Sequence, residues 1–328
     1  MTVPDGLTIR PYGGEGDLSE MVRIANAENE ADSIDERRSE ESERARFAHP
    51  TEQFDPARDV VVAELGGRMV GVGVSDWIDT RDGAWREYRL WGAVEPAVRR
   101  RGIGSALLAD NERRARELAR SQTPDRPAAF GAFASEGRPV AALLDQSGYE
   151  VVRWFFDMVR PTLDAVDTVP LPDGLELRPV TSDQHPIIWR ANREAFRDHW
   201  GGSDESDEAM RRMLADPDTD PSMWLIAWDG EQVAGGIWNG IYAAENEELG
   251  IRRGWLESVF TRRPWRRRGL ARALIGRSLV LLRERGMTSA ALGVDGDNPS
   301  GALGLYEAAG FEIHERFTAW RKPMEDDR

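Results

Sequence analysis

VPDGLTIRP at positions 3–11 returns as LPDGLELRP at 171–179, and this near-identity opens a longer internal repeat. VVVAELGGRMVG at 60–71 echoes WLIAWDGEQVAG at 224–235, each reading strand, Gly turn, strand. Arg99, Gly102 and Gly104 form R-x-x-G-x-G ahead of an apolar-periodic segment reaching Leu118, and Arg266, Gly269 and Ala271 form R-x-x-G-x-A in the matching place. GYEVVRWFFDMVR at 148–160 is answered by GFEIHERFTAWRK at 310–322. A chain of 328 residues with this pattern is two copies of one fold. The copies are expected at 1–160 and 171–328, with a linker at 161–170 bounded by Pro161 and Pro170. Strands alternate with helical segments in each, so the fold class is α/β (α+β).

The second copy carries the denser chemistry. An apolar run from Leu256 to Thr261 leads through the arginines to an apolar-periodic segment, Leu270 to Leu282, which reads as strand, cationic turn and helix. A helix start leaves about four backbone N–H groups without partners and carries roughly half a positive charge, so it binds anions. Gly269 and Ala271 let that backbone approach a phosphate closely. Arg262, Arg263, Arg266, Arg267 and Arg268 crowd this turn in a chain of net charge -15, which calls for an anionic ligand or for acidic partners on the protein's own surface.

Further on, Asn298 follows the apolar run Ala290 to Val294, and LYE-x-x-GF places Tyr306 ahead of Gly310. Together these pieces resemble the GNAT-type N-acetyltransferases in tandem form. The resemblance implies two GNAT-like domains, each a mixed, mostly antiparallel sheet flanked by helices; the C-terminal one carries the motifs and is expected to be the catalyst, and the N-terminal one is compared with it below. It further implies acetyl-CoA as acyl donor, held by Val259, Phe260 and Thr261 and by Arg266, Arg267, Arg268, Gly269, Leu270 and Ala271, with the Asn298 side chain on the cofactor arm. By the same resemblance, Phe196, His199 and Trp200 cover the acceptor pocket and the Tyr306 hydroxyl sits beside the thioester sulfur.

The acceptor expected is a small-molecule primary amine attacking directly in a ternary complex. An amine with pKa near 10.4 is charged at pH 7, and neutralising it costs about 4.6 kcal/mol. Glu257, on the strand entering the cationic turn, is the candidate base, with Asp295 and Glu248 in reserve; its bland alternative is an exposed strand glutamate. Tyr306 is the candidate acid for the departing sulfur, against a plain core-packing role. Backbone N–H groups near Val259 to Thr261 are expected to polarise the carbonyl oxygen. Asn298 also suits the cap of a helix starting at Pro299. Aligning the copies puts Leu90 at Glu257, Glu136 at Asn298 and Leu144 at Tyr306, so the first copy keeps the turn and loses the chemistry.

Other features narrow the field. With 58 acidic residues against 43 basic ones, nucleic acid is an unfavourable partner. The absence of cysteine excludes disulfides, thiolate metal sites and a Cys-acyl intermediate. His49, His185, His199 and His314 lack metal-ligand spacing, and no metal is expected. No apolar leader or long apolar run occurs, so the expectation is a cytoplasmic monomer or homodimer without a membrane partner. His199 and Asp204 form an isolated H-x(4)-D that nothing else supports. Ser33 with Glu36 suggests a capping box for the charged segment after it, and Trp91, Trp255 and Trp265 flank the cationic turns, most simply as packing groups. Two readings stay open at this point: an acyl-CoA-binding regulator without turnover, and an acyltransferase acting on a peptide or protein amine.

Overall fold

The computed structural model describes residues 4–297 and 301–324. The first half of the chain runs β1 (Leu7–Pro11), α1 (Glu15–Ala31), α2 (Glu40–Ala48), α3 (Pro56–Asp59), β2 (Val60–Leu65), β3 (Arg68–Asp79) and β4 (Arg86–Val94). It continues with α4 (Ile103–Gln122), β5 (Ala128–Ser135), α5 (Pro139–Gln146) and β6 (Glu150–Arg160). The second half repeats that order with β7 (Glu176–Arg178), α6 (His185–Ala195), α7 (Asp207–Ala215), β8 (Leu225–Asp229) and β9 (Gln232–Gly240). It ends with α8 (Ala243–Leu249), β10 (Arg253–Thr261), α9 (Leu270–Glu284), β11 (Ser289–Asp295), α10 (Ala302–Ala308) and β12 (Glu312–Pro323).

Two compact units result, and they are not consecutive stretches of chain. The first comprises residues 1–152, 200–216 and 318–328; the second comprises 153–199 and 217–317. The expected linker, 161–170, lies wholly within the second unit. In the first, β1 to β4 are antiparallel neighbours, β5 runs parallel to β4, and the last part of β12 follows β5. In the second, β7 to β10 are antiparallel, β11 is parallel to β10, and β6 is antiparallel to β11. Each sheet is thus mixed and mostly antiparallel, as the resemblance implies.

Alternation along β2 shows how a sheet takes helices on both faces. Val60 and Val62 pack with Met21, Ile24 and Ala25 of α1, whereas Val61 and Ala63 pack with Ile103 and Leu107 of α4. On α4 the buried positions Ile103, Leu107, Asn111, Ala115 and Ala119 recur every fourth residue and form one stripe. In the second unit α9 packs on Ala227, Ala234, Ile237 and Leu256. The opposite face receives α6, where Trp238 stacks between Trp189 at 6.1 Å and Trp224 at 4.7 Å. Gly254 is required where β10 meets α9, because a Cβ there would lie 2.4 Å from Leu282 Cδ2.

One local expectation fails. Ser33 caps no helix; it follows α1 at φ 55, and the cap of α2 is Ser39, whose hydroxyl accepts from Ser42 N–H. Ser39 has the extended backbone an N-cap needs, and Ser33 does not.

The last part of β12 is fixed in the first unit by charge. Arg321 donates to Glu87 at 2.9 Å, and Lys322 donates to Glu112 at 2.9 Å, which also accepts from Tyr149. Glu87 is only 4% exposed, so removing its cation leaves a buried unpaired carboxylate. Arg321→Met is therefore expected to destabilise the first unit by about 3–5 kcal/mol, read as a lower melting temperature of the full chain. Arg268→Met, at an exposed position, should leave melting unchanged.

Candidate active site

In the second unit β10 pairs with β11 only from Arg253↔Ser289 to Trp255↔Ala291. Beyond that point the strands part, and β10 from Leu256 onward has a strand neighbour only on its β9 side. A β-bulge falls at the same place: the β9 register passes from Leu256↔Asn239 to Ser258↔Trp238, leaving Glu257 unmatched. Leu256 and Val259 belong to the core under α9. Ser258 accepts a 2.6 Å bond from Asn192 of α6, and Glu257 accepts one from Tyr242, so the bulge turns both toward the other face.

Glu257 is open to water on one side. Protein crowds its carboxyl, and that desolvation holds its pKa above the ordinary 4.5; the Tyr242 hydrogen bond at 2.8 Å opposes the rise and the Glu245 carboxylate adds to it. The reserve candidate Asp295 is engaged instead in a two-pronged pair with Arg153, at 2.8 and 2.9 Å. Glu248 lies on α8.

The cationic turn divides its arginines. Arg262 is held by Glu194 at 2.8 Å and by Val233 O, and Arg263 by Asp198. Arg266 donates to Thr261 O at 3.0 Å, Ala195 O at 2.9 Å and Asp198 at 3.3 Å. These three brace the turn against the end of α6. Arg267 and Arg268 are exposed and have no hydrogen-bond or ion-pair partner among the described residues. Arg267 has φ 60 and Gly269 φ 85, a conformation that aims successive N–H groups into one concavity. Among the described residues, no backbone acceptor serves the N–H groups of Arg267, Arg268, Gly269, Leu270, Ala271 and Arg272. Free N–H groups, a helix start and two free guanidinium groups suit a phosphate chain.

Tyr306, on α10, belongs to the apolar cluster that also holds Leu256 and Val294, residues just past the parting of β10 and β11. It is 6% exposed, and its hydroxyl has no hydrogen-bond partner among the described residues. Burial pushes its pKa up to about 12, so it stays a donor at any physiological pH. Gly310 ends α10 at φ 82, and a Cβ there would lie 2.9 Å from Arg160 Nη1, which explains the Gly of LYE-x-x-GF.

Other sequence candidates scatter. Asn298 lies outside the described residues, as does Pro299. Phe196 and His199 meet edge to face at 4.4 Å, beside the residues that brace the cationic turn. Trp200 groups with the first unit, where Arg321 lies 5.4 Å from its ring. Trp265 is buried and donates to Asp229, and Trp255 donates to Glu245. Sequence reasoning missed Tyr242, Asn192 and Ser258, since nothing in a single chain marks a bulge or the side chains that meet there.

The first unit supplies an internal control. Arg100 at φ 64 and Gly102 at φ 85 reproduce the backbone of the second turn. Its β3–β4 register is unbroken from Gly71↔Val94 to Asp79↔Arg86, so no bulge forms at Leu90. Leu90 and Leu144 are buried apolar side chains where the second unit has Glu257 and Tyr306.

Comparison with known proteins places the chain in a family. The acetyltransferase (GNAT) family pattern matches residues 186–311, and an acetyltransferase (GNAT) domain pattern matches 56–132. A mycothiol acetyltransferase of Geodermatophilus obscurus is 32% identical over 270 residues, covering 81% of this chain and 82% of that protein. One from Thermomonospora curvata is 34% identical over 232 residues, covering 70% and 72%. A solved GCN5-related N-acetyltransferase of Sphaerobacter thermophilus superposes with TM-score 0.72 at 25% identity, over 99% of this chain and 98% of that one.

The division of the arginines makes a prediction. Arg267→Ala combined with Arg268→Ala should weaken acetyl-CoA binding about tenfold at low salt and flatten its salt dependence, as measured by calorimetric titration.

Proposed function

This chain belongs to the GNAT family of acetyltransferases and is an N-acetyltransferase, and we propose that its second unit passes the acetyl group of acetyl-CoA directly to the primary amine of a small molecule. The observation that carries this reading is the coincidence of the β10–β11 parting, the bulge and the unpartnered Tyr306 hydroxyl in one unit.

On this reading Arg267, Arg268 and the free N–H groups from Arg267 to Arg272 hold the pyrophosphate, and Asn298 contacts the arm. Glu257 takes one proton from the acceptor ammonium, directly or through a water, which frees the nitrogen lone pair to attack the thioester carbonyl. Backbone N–H groups of Val259 to Thr261 stabilise the oxyanion that forms. As the carbon–sulfur bond breaks, Tyr306 gives its proton to the departing sulfur and regains one from the acceptor nitrogen, which sheds its surplus proton directly or through a water, so that a neutral amide and a free thiol leave and the phenol is restored. The first unit, with leucines in place of both groups, is assigned no turnover. On the acceptor side Phe196 and His199 are the proposed aromatic contacts. The relatives' name supports a small molecule as acceptor.

Thiol release from acetyl-CoA is the test. It is followed against amino sugars, amino-acid amides, polyamines, the unacetylated amine precursor of mycothiol and a lysine peptide. One small amine should react far faster than the peptide; preference for the peptide would contradict the reading. kcat/KM should fall on the acid side along a limb lying above 4.5, because Glu257 must be ionised and its pKa is raised. Glu257→Gln should remove that limb and lower kcat/KM about a hundredfold, and Tyr306→Phe should lower kcat roughly tenfold or more. No alkaline limb owed to Tyr306 should appear below about 12. Wild-type rates in Glu257→Gln would show that another group is the base.

A further inference from the structure

One short segment holds β10 at alternate residues. Asn246 grips the backbone of Arg253, donating to its O at 2.9 Å and accepting from its N–H at 3.0 Å. Glu245 accepts from the indole N–H of Trp255 at 3.3 Å. The ring of Tyr242 stands edge-on to Trp255 at 6.4 Å, and its hydroxyl donates to Glu257 Oε1 at 2.8 Å. Residues 242, 245 and 246 thus clip residues 257, 255 and 253, and the contact of 242 with 257 lands on the bulge. Glu245 and Asn246 are 5% and 8% exposed, so two of the three attachments are buried.

A tyrosine–glutamate contact at a surface is ordinarily incidental. Here the tyrosine is fixed by neighbours on both sides, and the glutamate is the residue that the bulge expels from the strand register. Its Oε2 has no partner among the described residues, so Tyr242 leaves one oxygen free to take a proton. Resting on the reading of Glu257 as base, we propose that Tyr242 is a positioning residue that fixes this carboxyl for proton abstraction.

The electrostatics have opposite signs. Tyr242 stabilises the carboxylate and lowers its pKa, whereas the Glu245 charge destabilises it and raises its pKa. Among the described residues, the other elements around Glu257 bring no further ionisable group that shifts it. β9 presents Gly240, 3.8 Å from Oε1 as judged from an added Cβ, and α6 reaches the bulge through Asn192 and Ser258. α9 lies on the opposite face, under Leu256 and Val259.

The test is the pKa of Glu257 itself, read by carbon NMR titration of protein labelled at the glutamate side-chain carboxyl, with the resonance assigned by Glu257→Gln. Tyr242→Phe should raise that pKa by about 0.5–1 unit and Glu245→Gln should lower it by a similar amount. The acid limb of kcat/KM, measured with acetyl-CoA and the most reactive amine of the panel above, should move up in the first variant and down in the second. A merely structural role would not produce opposite shifts at unchanged melting temperature. Absent or same-direction shifts, with Glu257→Gln inactive, would overturn the positioning proposal alone. Opposite shifts with wild-type turnover in Glu257→Gln would overturn the base reading, and with it any catalytic use of the clip.

Discussion

Both units are built around a parallel pair that stops partway, β4 from β5 after Arg89↔Gly131 and β10 from β11 after Trp255↔Ala291, and the candidate site of the second unit forms where its pair stops. A parallel pair that ends after Trp255↔Ala291 leaves the following backbone groups of β10 without a strand partner on one side. Such groups are strong donors and acceptors, and in a folded protein they are met by backbone, side chain, water or ligand. On the proposed reading, the parted stretch of β10 is half of a ladder that an extended, amide-bearing donor would complete. The cationic turn stands at the end of that half-ladder, with N–H groups that α9 leaves unmet.

The bulge turns this half-ladder into a place for chemistry. Regular alternation would give Leu256, Glu257, Ser258 and Val259 to opposite faces in turn. The extra residue instead sets Glu257 and Ser258 on one face and returns Val259 to the core with Leu256. Two outside elements then secure what the bulge exposes, α6 through Asn192 and the segment before β10 through Tyr242. The first unit shows the same fold without the bulge at this position: its β3–β4 register is continuous, and leucines fill the equivalent positions.

The architecture was largely legible in the sequence, because a repeat that preserves hairpins, glycine turns and a final strand leaves few alternatives. The turn and the tyrosine motif were legible because glycine and arginine at fixed spacing reflect backbone conformation and charge. Side-chain direction was not. Five arginines look alike in sequence, yet Arg262, Arg263 and Arg266 brace the turn while Arg267 and Arg268 face solvent. Which way each points depends on Glu194 and Asp198, more than sixty residues away. The bulge is a register shift of a single residue with no composition of its own. The strand exchange that places residues 153–160 in one unit and 318–323 in the other follows from pairing partners, which the repeat does not encode. Ser33 misled for a local reason: the capping pattern suited it, but the backbone there is left-handed and the true cap lies at Ser39.

Amide hydrogen exchange read by mass spectrometry, with and without acetyl-CoA, tests the central claim most directly. The account predicts that the donor slows exchange from Glu257 to Arg272, the parted stretch of β10 and the free N–H groups of the turn, while the β8–β9 hairpin is unchanged. Slowed exchange elsewhere, with 257–272 unaffected, would contradict it.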